Sequence, residues 1–61
     1  MQDATKEAFD AFLASRSTRS EPDDERDGQY YYENWLDMDG NEIATAIYHN
    51  GQAVGWMIAD E

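Results

Sequence analysis

The sequence predicts an α+β fold, in which one N-terminal amphipathic helix packs on a three-stranded antiparallel β-meander. Residues 4–16 place apolar side chains at spacings of three and four, which is the period of a helix. From residue 29 onward the chain is rich in aromatic and β-branched side chains, which favour strands. Two dipeptides typical of tight hairpin turns, Asp39-Gly40 and Asn50-Gly51, divide this second part into three strands.

The helix is expected over residues 4–16, with Phe9, Phe12 and Leu13 on its apolar stripe. Asp3 is placed to cap its N-terminus, and Arg16 suits the negative end of the helix dipole. Residues 17–28 then read as an acidic linker, because they contain the only proline, a charge cluster and a closing glycine.

The three strands are expected at about residues 29–36, 42–49 and 52–59. A two-residue first turn would set Tyr30 opposite His49, stacked on it, and Leu36 opposite Ile43. A two-residue second turn would set His49 opposite Gln52 and Ile47 opposite Val54. One sheet face is then bulky enough to be the core that the helix covers, and it comprises Tyr30, Tyr32, Leu36, Ile43, Ile47, Val54, Trp56 and Ile58. The opposite face is low in polarity and is predicted to bind a partner; it comprises Tyr31, Glu33, Trp35, Ala44, Ala46, Tyr48, Ala53, Gly55, Met57 and Ala59. A slip of one residue would exchange the two faces.

The size and composition of the chain predict one small domain, residues 1–61, with no cofactor. The absence of cysteine excludes disulfides and thiolate metal sites, and a single histidine excludes a histidine-rich zinc site. No apolar run approaches the ~18 residues of a membrane span, and the N-terminus lacks the pattern of a secretory signal. The expected location is therefore the cytoplasm, or the host cytoplasm if the protein is viral.

The acidic charge is concentrated in one third of the chain. Residues 21–42 contain nine acidic side chains against Arg26 alone, a net charge of −8 out of the total of −10. With four Lys and Arg in all, direct binding to nucleic acid or to an anionic membrane is disfavoured. The pattern favours a basic protein partner. Protection of an exposed strand edge and adaptation to high salt are the competing explanations.

The turn that begins at Asp37 is interpreted as a hairpin turn and not as a metal site. Asp37, Asp39 and Asn41 match the first three ligand positions of a calcium-binding EF-hand loop. The position that requires glycine is Glu42, and the position that requires a chelating glutamate is Tyr48.

Catalysis is not expected. His49 is the one side chain with a neutral-pH base, and it lies far along the chain from every serine. The tryptophan spacing is similar to that of a WW domain, but the tyrosine cluster precedes both tryptophans here and the expected proline is missing. Binding of proline-rich peptides remains an alternative for an aromatic groove.

In size, charge and α+β character, the chain resembles the small acidic inhibitors encoded by phages and mobile elements. Those proteins occupy the DNA- or RNA-binding surfaces of restriction, repair or CRISPR enzymes. The resemblance implies a non-enzymatic inhibitor that mimics DNA and docks on a basic nucleic-acid-binding enzyme. The alternatives are a homodimeric structural or adaptor domain and an antitoxin-like protein. The predicted partner-binding residues are Asp23, Asp24, Glu25, Asp27, Tyr31, Glu33, Trp35, Asp37, Asp39, Tyr48 and Met57.

Overall fold

The computed structural model describes residues 1–27 and 29–60, and the side chains of residues 24–27 lie outside that description. Over this part, the chain forms one helix and a five-stranded antiparallel sheet with the strand order β1-β5-β4-β3-β2. The predicted three-stranded meander is therefore wrong. In chain order, the elements are β1 (Gln2–Ala4), α1 (Lys6–Ala14), β2 (Arg19–Asp27), β3 (Tyr30–Leu36), β4 (Glu42–His49) and β5 (Gln52–Ile58).

The two strands that sequence reasoning missed are the two edges of the sheet. β1 pairs with β5 from Gln2 opposite Ile58 to Ala4 opposite Trp56. β2, which replaces most of the predicted linker, pairs with β3. Neither segment has the composition of a strand, but each offers backbone N–H and C=O groups to an aromatic or aliphatic strand that would otherwise lack a neighbour. Pairing with a neighbouring strand therefore overrides local preference here, whether that strand is distant in the chain, as β5 is from β1, or follows directly, as β3 follows β2.

The helix begins two residues later than predicted and has a different cap. Thr5 has extended backbone angles (φ −77°, ψ 162°), and its side-chain oxygen accepts a 3.1 Å hydrogen bond from the N–H of Ala8. The predicted cap, Asp3, lies in β1 instead. At the other end, the Arg16 guanidinium donates to the carbonyl oxygen of Phe12 and stacks 3.7 Å from the centre of its ring. Arg16 therefore lies at the C-terminal end of the helix, where a cation is favourable to the helix dipole.

The second hairpin turn, at Asn50-Gly51, and most of the pairing between β3 and β4 are as predicted. Asn50 and Gly51 both have positive φ angles, of 54° and 81°, as a tight two-residue hairpin turn requires. Tyr30 lies opposite His49, and the two rings stack with their centres 4.7 Å apart. The predicted pairing of Leu36 with Ile43 is wrong, because the first connection is a longer turn over residues 37–41.

A bulge in β5 changes the predicted pairing between β4 and β5. His49 still faces Gln52, but the pairing shifts by one residue between Tyr48 and Ile47, so that Ile47 faces Gly55 instead of Val54. Because side chains alternate across a strand, the shift moves Trp56 to the same face as Ala46. The extra residue, Val54, is 55% exposed.

The helix covers the face that was predicted to bind a partner, so the core assignment is wrong. Phe9 on the helix is 4% exposed and packs on Ala44 and Ala46, which are 0% and 1% exposed. The two alanines leave space for the large side chains of the helix, which a bulky strand face would not. Around this contact lie Phe12, Leu13, Trp35, Tyr48, Trp56 and Ile58.

The face opposite the helix, named here the open face, carries the other alternate positions of the sheet. The Thr45 hydroxyl donates a 2.8 Å hydrogen bond to the side-chain oxygen of Asn34 near its centre. The half-buried apolar side chains of the open face are Tyr32, Ile43, Ile47 and Met57.

Candidate protein-interaction surface

The most acidic stretch of the chain forms an edge of the sheet. β2 is the last strand in the sheet order, and Glu21, Asp23, Asp24, Glu25 and Asp27 lie within it. We name these five residues the acidic edge. Glu21 is exposed and Asp23 is half-buried, while the side chains of Asp24, Glu25 and Asp27 lie outside the described residues. Pro22 also lies in β2, and proline, which lacks an N–H, is confined to such edges.

The acidic and aromatic segments lie side by side, which differs from the predicted arrangement. In the predicted three-stranded meander, the tyrosine-rich strand would be an edge, with the acidic residues of 21–28 and 37–42 beyond its two ends. In the structure β3 is internal, between β2 and β4. Asp23 lies opposite Tyr32, and Asp27 lies opposite Tyr30. The acids therefore run alongside the aromatic side chains instead of bracketing them.

Three of the predicted partner-binding residues come together on the helix-covered face at the margin of the core, where Tyr48 also packs against the buried cluster. Tyr31 and Tyr48 lie directly opposite each other on β3 and β4, with ring centres 5.9 Å apart at 46°. Together with Glu33, they line a depression of about 420 Å³ that Gln29 and Gly51 complete. All three side chains are half-buried, so each keeps part of its surface exposed to solvent.

The other predicted anchors lie elsewhere. Trp35 is on the same face as Tyr31 but packs edge-on against Phe9, with ring centres 5.1 Å apart. It belongs to the core beneath the helix. Met57 lies opposite Thr45, on the open face. Five of the predicted residues lie on β3, β4 and β5. Of these, Tyr31, Glu33 and Tyr48 share one partly exposed surface.

Asp37 and Asp39 lie in the turn at the far end of β3. One carboxylate oxygen of Asp37 accepts hydrogen bonds from the N–H groups of Asp39 and Asn41, at 2.9 and 3.0 Å. Gly40 completes the turn with a φ of +85°. The hydrogen bond from the Asn41 N–H is the main cause that lowers the pKa of Asp37. Asp37 thus closes the turn, and no group of three metal-ligating side chains is found among the described residues.

This geometry predicts that Asp37→Asn reduces the loss of stability in acid. A carboxyl whose pKa is lowered by folding stabilises the protein fully above its ordinary pKa, about 3.9, and loses that contribution as pH falls through the folded-state pKa. Urea midpoints measured at about pH 5.5 and about pH 3 should therefore differ less in the variant than in the wild type. Asp39→Asn, an exposed change in the same turn, is the control. An equal reduction in both variants would contradict the assignment.

Residues that sequence reasoning missed lie at both ends of the sheet. Gln29 and Gly51 complete the depression beside the tyrosines, because the second hairpin turn lies next to the start of β3. The cross-strand register was the signal that could have shown this. At the opposite end, a second cavity of about 630 Å³ includes Arg16 and Arg19 in its lining, together with Asp37. The sequence predicts Arg16 at the end of the helix and Arg19 in the linker, and neither prediction includes a cavity.

Comparisons with known proteins do not assign a family to this chain. No family model, curated protein or solved structure matches the chain. Among the described residues, no helix has the length and apolar character that crossing a membrane requires. The proposals below therefore rest on the residues and the geometry of this chain.

Proposed function

We propose that the protein is a small non-enzymatic inhibitor, whose acidic edge docks in the basic nucleic-acid-binding groove of a partner enzyme. The observation that carries the proposal is the position of β2 at the edge of the sheet, where its outer side has no neighbouring strand in the described chain. An edge strand can enter a groove that a flat sheet face cannot. The five acids of the acidic edge then approach the groove together.

The spacing of these acids supports mimicry of a nucleic acid. The acidic edge lies opposite the segment of β3 from Tyr30 to Asn34, which is about 13 Å at ~3.3 Å per residue, because the register shifts between Asp23 and Asp27. A DNA strand places a phosphate about every 3.4 Å along the helix axis, so a groove of this length contacts about four phosphates. Five acidic residues over the same distance offer a similar charge density. Such a surface increases the association rate with a basic partner and suppresses binding to acidic ones.

The neighbouring tyrosines support a specific contact in addition to charge attraction. Tyrosine is enriched among the residues that dominate binding energy, because it combines a large apolar ring with a hydroxyl. Tyr31 lies on β3, which is next to β2, and Tyr48 lies on β4, one strand further in; both retain exposed surface. A partner seated on the acidic edge can reach them without displacing the helix.

The proposal predicts that charge at the acidic edge matters more than total charge. One variant replaces Asp23, Asp24 and Asp27 with Asn and Glu25 with Gln. The matched control replaces Asp3, Asp10 and Asp60 with Asn and Glu7 with Gln, which removes the same four charges elsewhere. Each immobilised protein is incubated with host lysate, and the captured proteins are identified with and without competing duplex nucleic acid. We expect the edge variant to capture a nucleic-acid-binding protein about tenfold less well than the wild type and the control.

Three results would contradict the proposal. The first is an equal loss in the control variant. The second is capture that does not change between about 50 and 500 mM salt, since contacts between exposed charges are screened by salt. The third is a tight dimer in light scattering that captures no nucleic-acid-binding protein, which would favour the homodimeric alternative.

A further inference from the structure

The depression between the two tyrosines has the composition of a site for a cation. Tyr31, Glu33 and Tyr48 contribute two aromatic rings and a carboxylate, while Gln29 and Gly51 close the end near the hairpin turn. Among the described residues of this lining, Glu33 is the one that carries a charge. The cavity volume of about 420 Å³ exceeds that of a single charged head group and can also take part of its aliphatic stem.

The two rings favour a positive charge beside them, stacked on one ring. The ring centres are 5.9 Å apart and the planes are inclined by 46°, so the rings form an open angle and not a closed stack. The face of an aromatic ring carries negative electrostatic potential, which attracts a cation within ~6 Å of the ring centre. Glu33 follows Tyr31 by two residues on β3, so its side chain is on the same sheet face.

A guanidinium group fits this site better than an ammonium group. It is planar, so it can stack on one tyrosine ring while its N–H groups point to a carboxylate at the side. An arginine–carboxylate pair can form two parallel hydrogen bonds, which an ammonium cannot. Guanidinium is also the more weakly hydrated cation, so it loses less hydration when it enters a half-buried depression.

We propose that this depression binds an arginine side chain of the partner protein. The proposal rests on the proposed function, because basic nucleic-acid-binding grooves contain arginines that contact phosphates. It adds a specific role for three residues: the acidic edge attracts the groove, and the Tyr31–Glu33–Tyr48 site holds one of its arginines. The location beside the acidic edge allows both contacts in one docked arrangement.

The test uses two small peptides, acetyl-Gly-Arg-Gly amide and acetyl-Gly-citrulline-Gly amide. Citrulline has the shape of arginine without its charge. Titration of the isotope-labelled full chain, followed by NMR, should show shifts at the rings of Tyr31 and Tyr48 with the arginine peptide. We expect the citrulline peptide to bind about tenfold more weakly, since it loses both the cation–π attraction and the ion pair.

Variants locate the peptide in the depression. Tyr48→Leu and Glu33→Gln should each weaken arginine-peptide binding several-fold, while Tyr30→Leu is the matched control. Tyr30 lies on the same strand as Tyr31, is 41% exposed and points to the opposite sheet face. Circular dichroism checks that each variant is folded. The comparison of the two peptides on the wild-type chain needs no variant, so the proposal can be tested even if Tyr48→Leu unfolds.

Several outcomes would overturn the inference. Equal binding of the two peptides would show that charge is not recognised, and an equal loss in Tyr30→Leu would place the peptide elsewhere. Tighter binding of a lysine peptide than of the arginine peptide would exclude a guanidinium site. If the arginine peptide fails to bind while the acidic-edge variant still loses its partner, this inference is wrong and the proposed function stands. If the arginine peptide binds in the depression but partner capture does not change with salt, the proposed function is wrong and the arginine site stands.

Discussion

Phe9→Ala should remove most of the folding stability of this protein. Phe9 is the most buried large side chain among the described residues, at 4% exposed. It packs on Ala44 and Ala46 of the sheet and on the ring of Trp35. Truncation of a buried phenylalanine costs about 3–5 kcal/mol in free energy of unfolding. A chain of 61 residues has about 3–9 kcal/mol in total. The variant should therefore be largely unfolded or close to it.

Urea unfolding followed by tryptophan fluorescence and far-ultraviolet circular dichroism measures this loss. Met38→Ala is the control, because Met38 is 86% exposed in the turn after β3 and its truncation should change stability by no more than about 0.5 kcal/mol. A loss below about 1 kcal/mol for Phe9→Ala would mean that the helix does not provide the main core contact.

Ala46→Leu should also destabilise the fold, even though leucine is more apolar and a better strand former than alanine. Ala46 is 1% exposed beneath the helix, so the added atoms must displace Phe9 or its neighbours. Overpacking of this kind costs about 1–3 kcal/mol. Whether Ala46→Leu lowers or raises the free energy of unfolding shows which sheet face the helix covers. If the helix covered the opposite, bulkier face, the same change would be neutral or stabilising.

Ala53→Leu provides the matched comparison for Ala46→Leu. Ala53 is exposed and lies directly opposite Tyr48, on the neighbouring strand of the same sheet face. The same substitution there should change the urea midpoint little, because the leucine has space. Equal midpoint changes at the two alanines would contradict the observed position of the helix. The Ala46→Leu and Ala53→Leu variants both keep the acidic edge intact, so stability can be measured without removing its charges.

These stability predictions define which residues can be changed in functional tests. The core is built from one short helix and the middle strands, while the acidic edge is added to the outside of β3. The four substitutions in the edge variant leave every core side chain in place. A loss of partner capture in that variant would therefore report on charge and not on unfolding.

Local chemistry accounts for the parts of the fold that sequence reasoning predicted. The helix follows from the three- and four-residue spacing of Phe9, Phe12 and Leu13. The hairpin at Asn50-Gly51 follows from the ease with which these two residue types adopt positive φ angles. The register from Tyr30–His49 to Trp35–Ala44 was predicted from a two-residue turn at Asp39-Gly40, and it holds because a bulge between Trp35 and Leu36 offsets the longer turn. Each of these depends on residues close together in the chain.

For the candidate site, the sequence determined the residue types and only the tertiary structure decided their neighbours. It indicated that Tyr31, Glu33 and Tyr48 share a face, but the helix covers part of that face and takes Trp35 into the core. It located the negative charge in residues 21–42, but not that residues 19–27 form a strand beside β3. The reason is physical: the pairing of β1 and the choice of covered face depend on contacts between segments far apart in the chain, while the pairing of β2 and the bulge in β5 depend on the strand that lies beside them. Local propensity carries no information about any of these contacts.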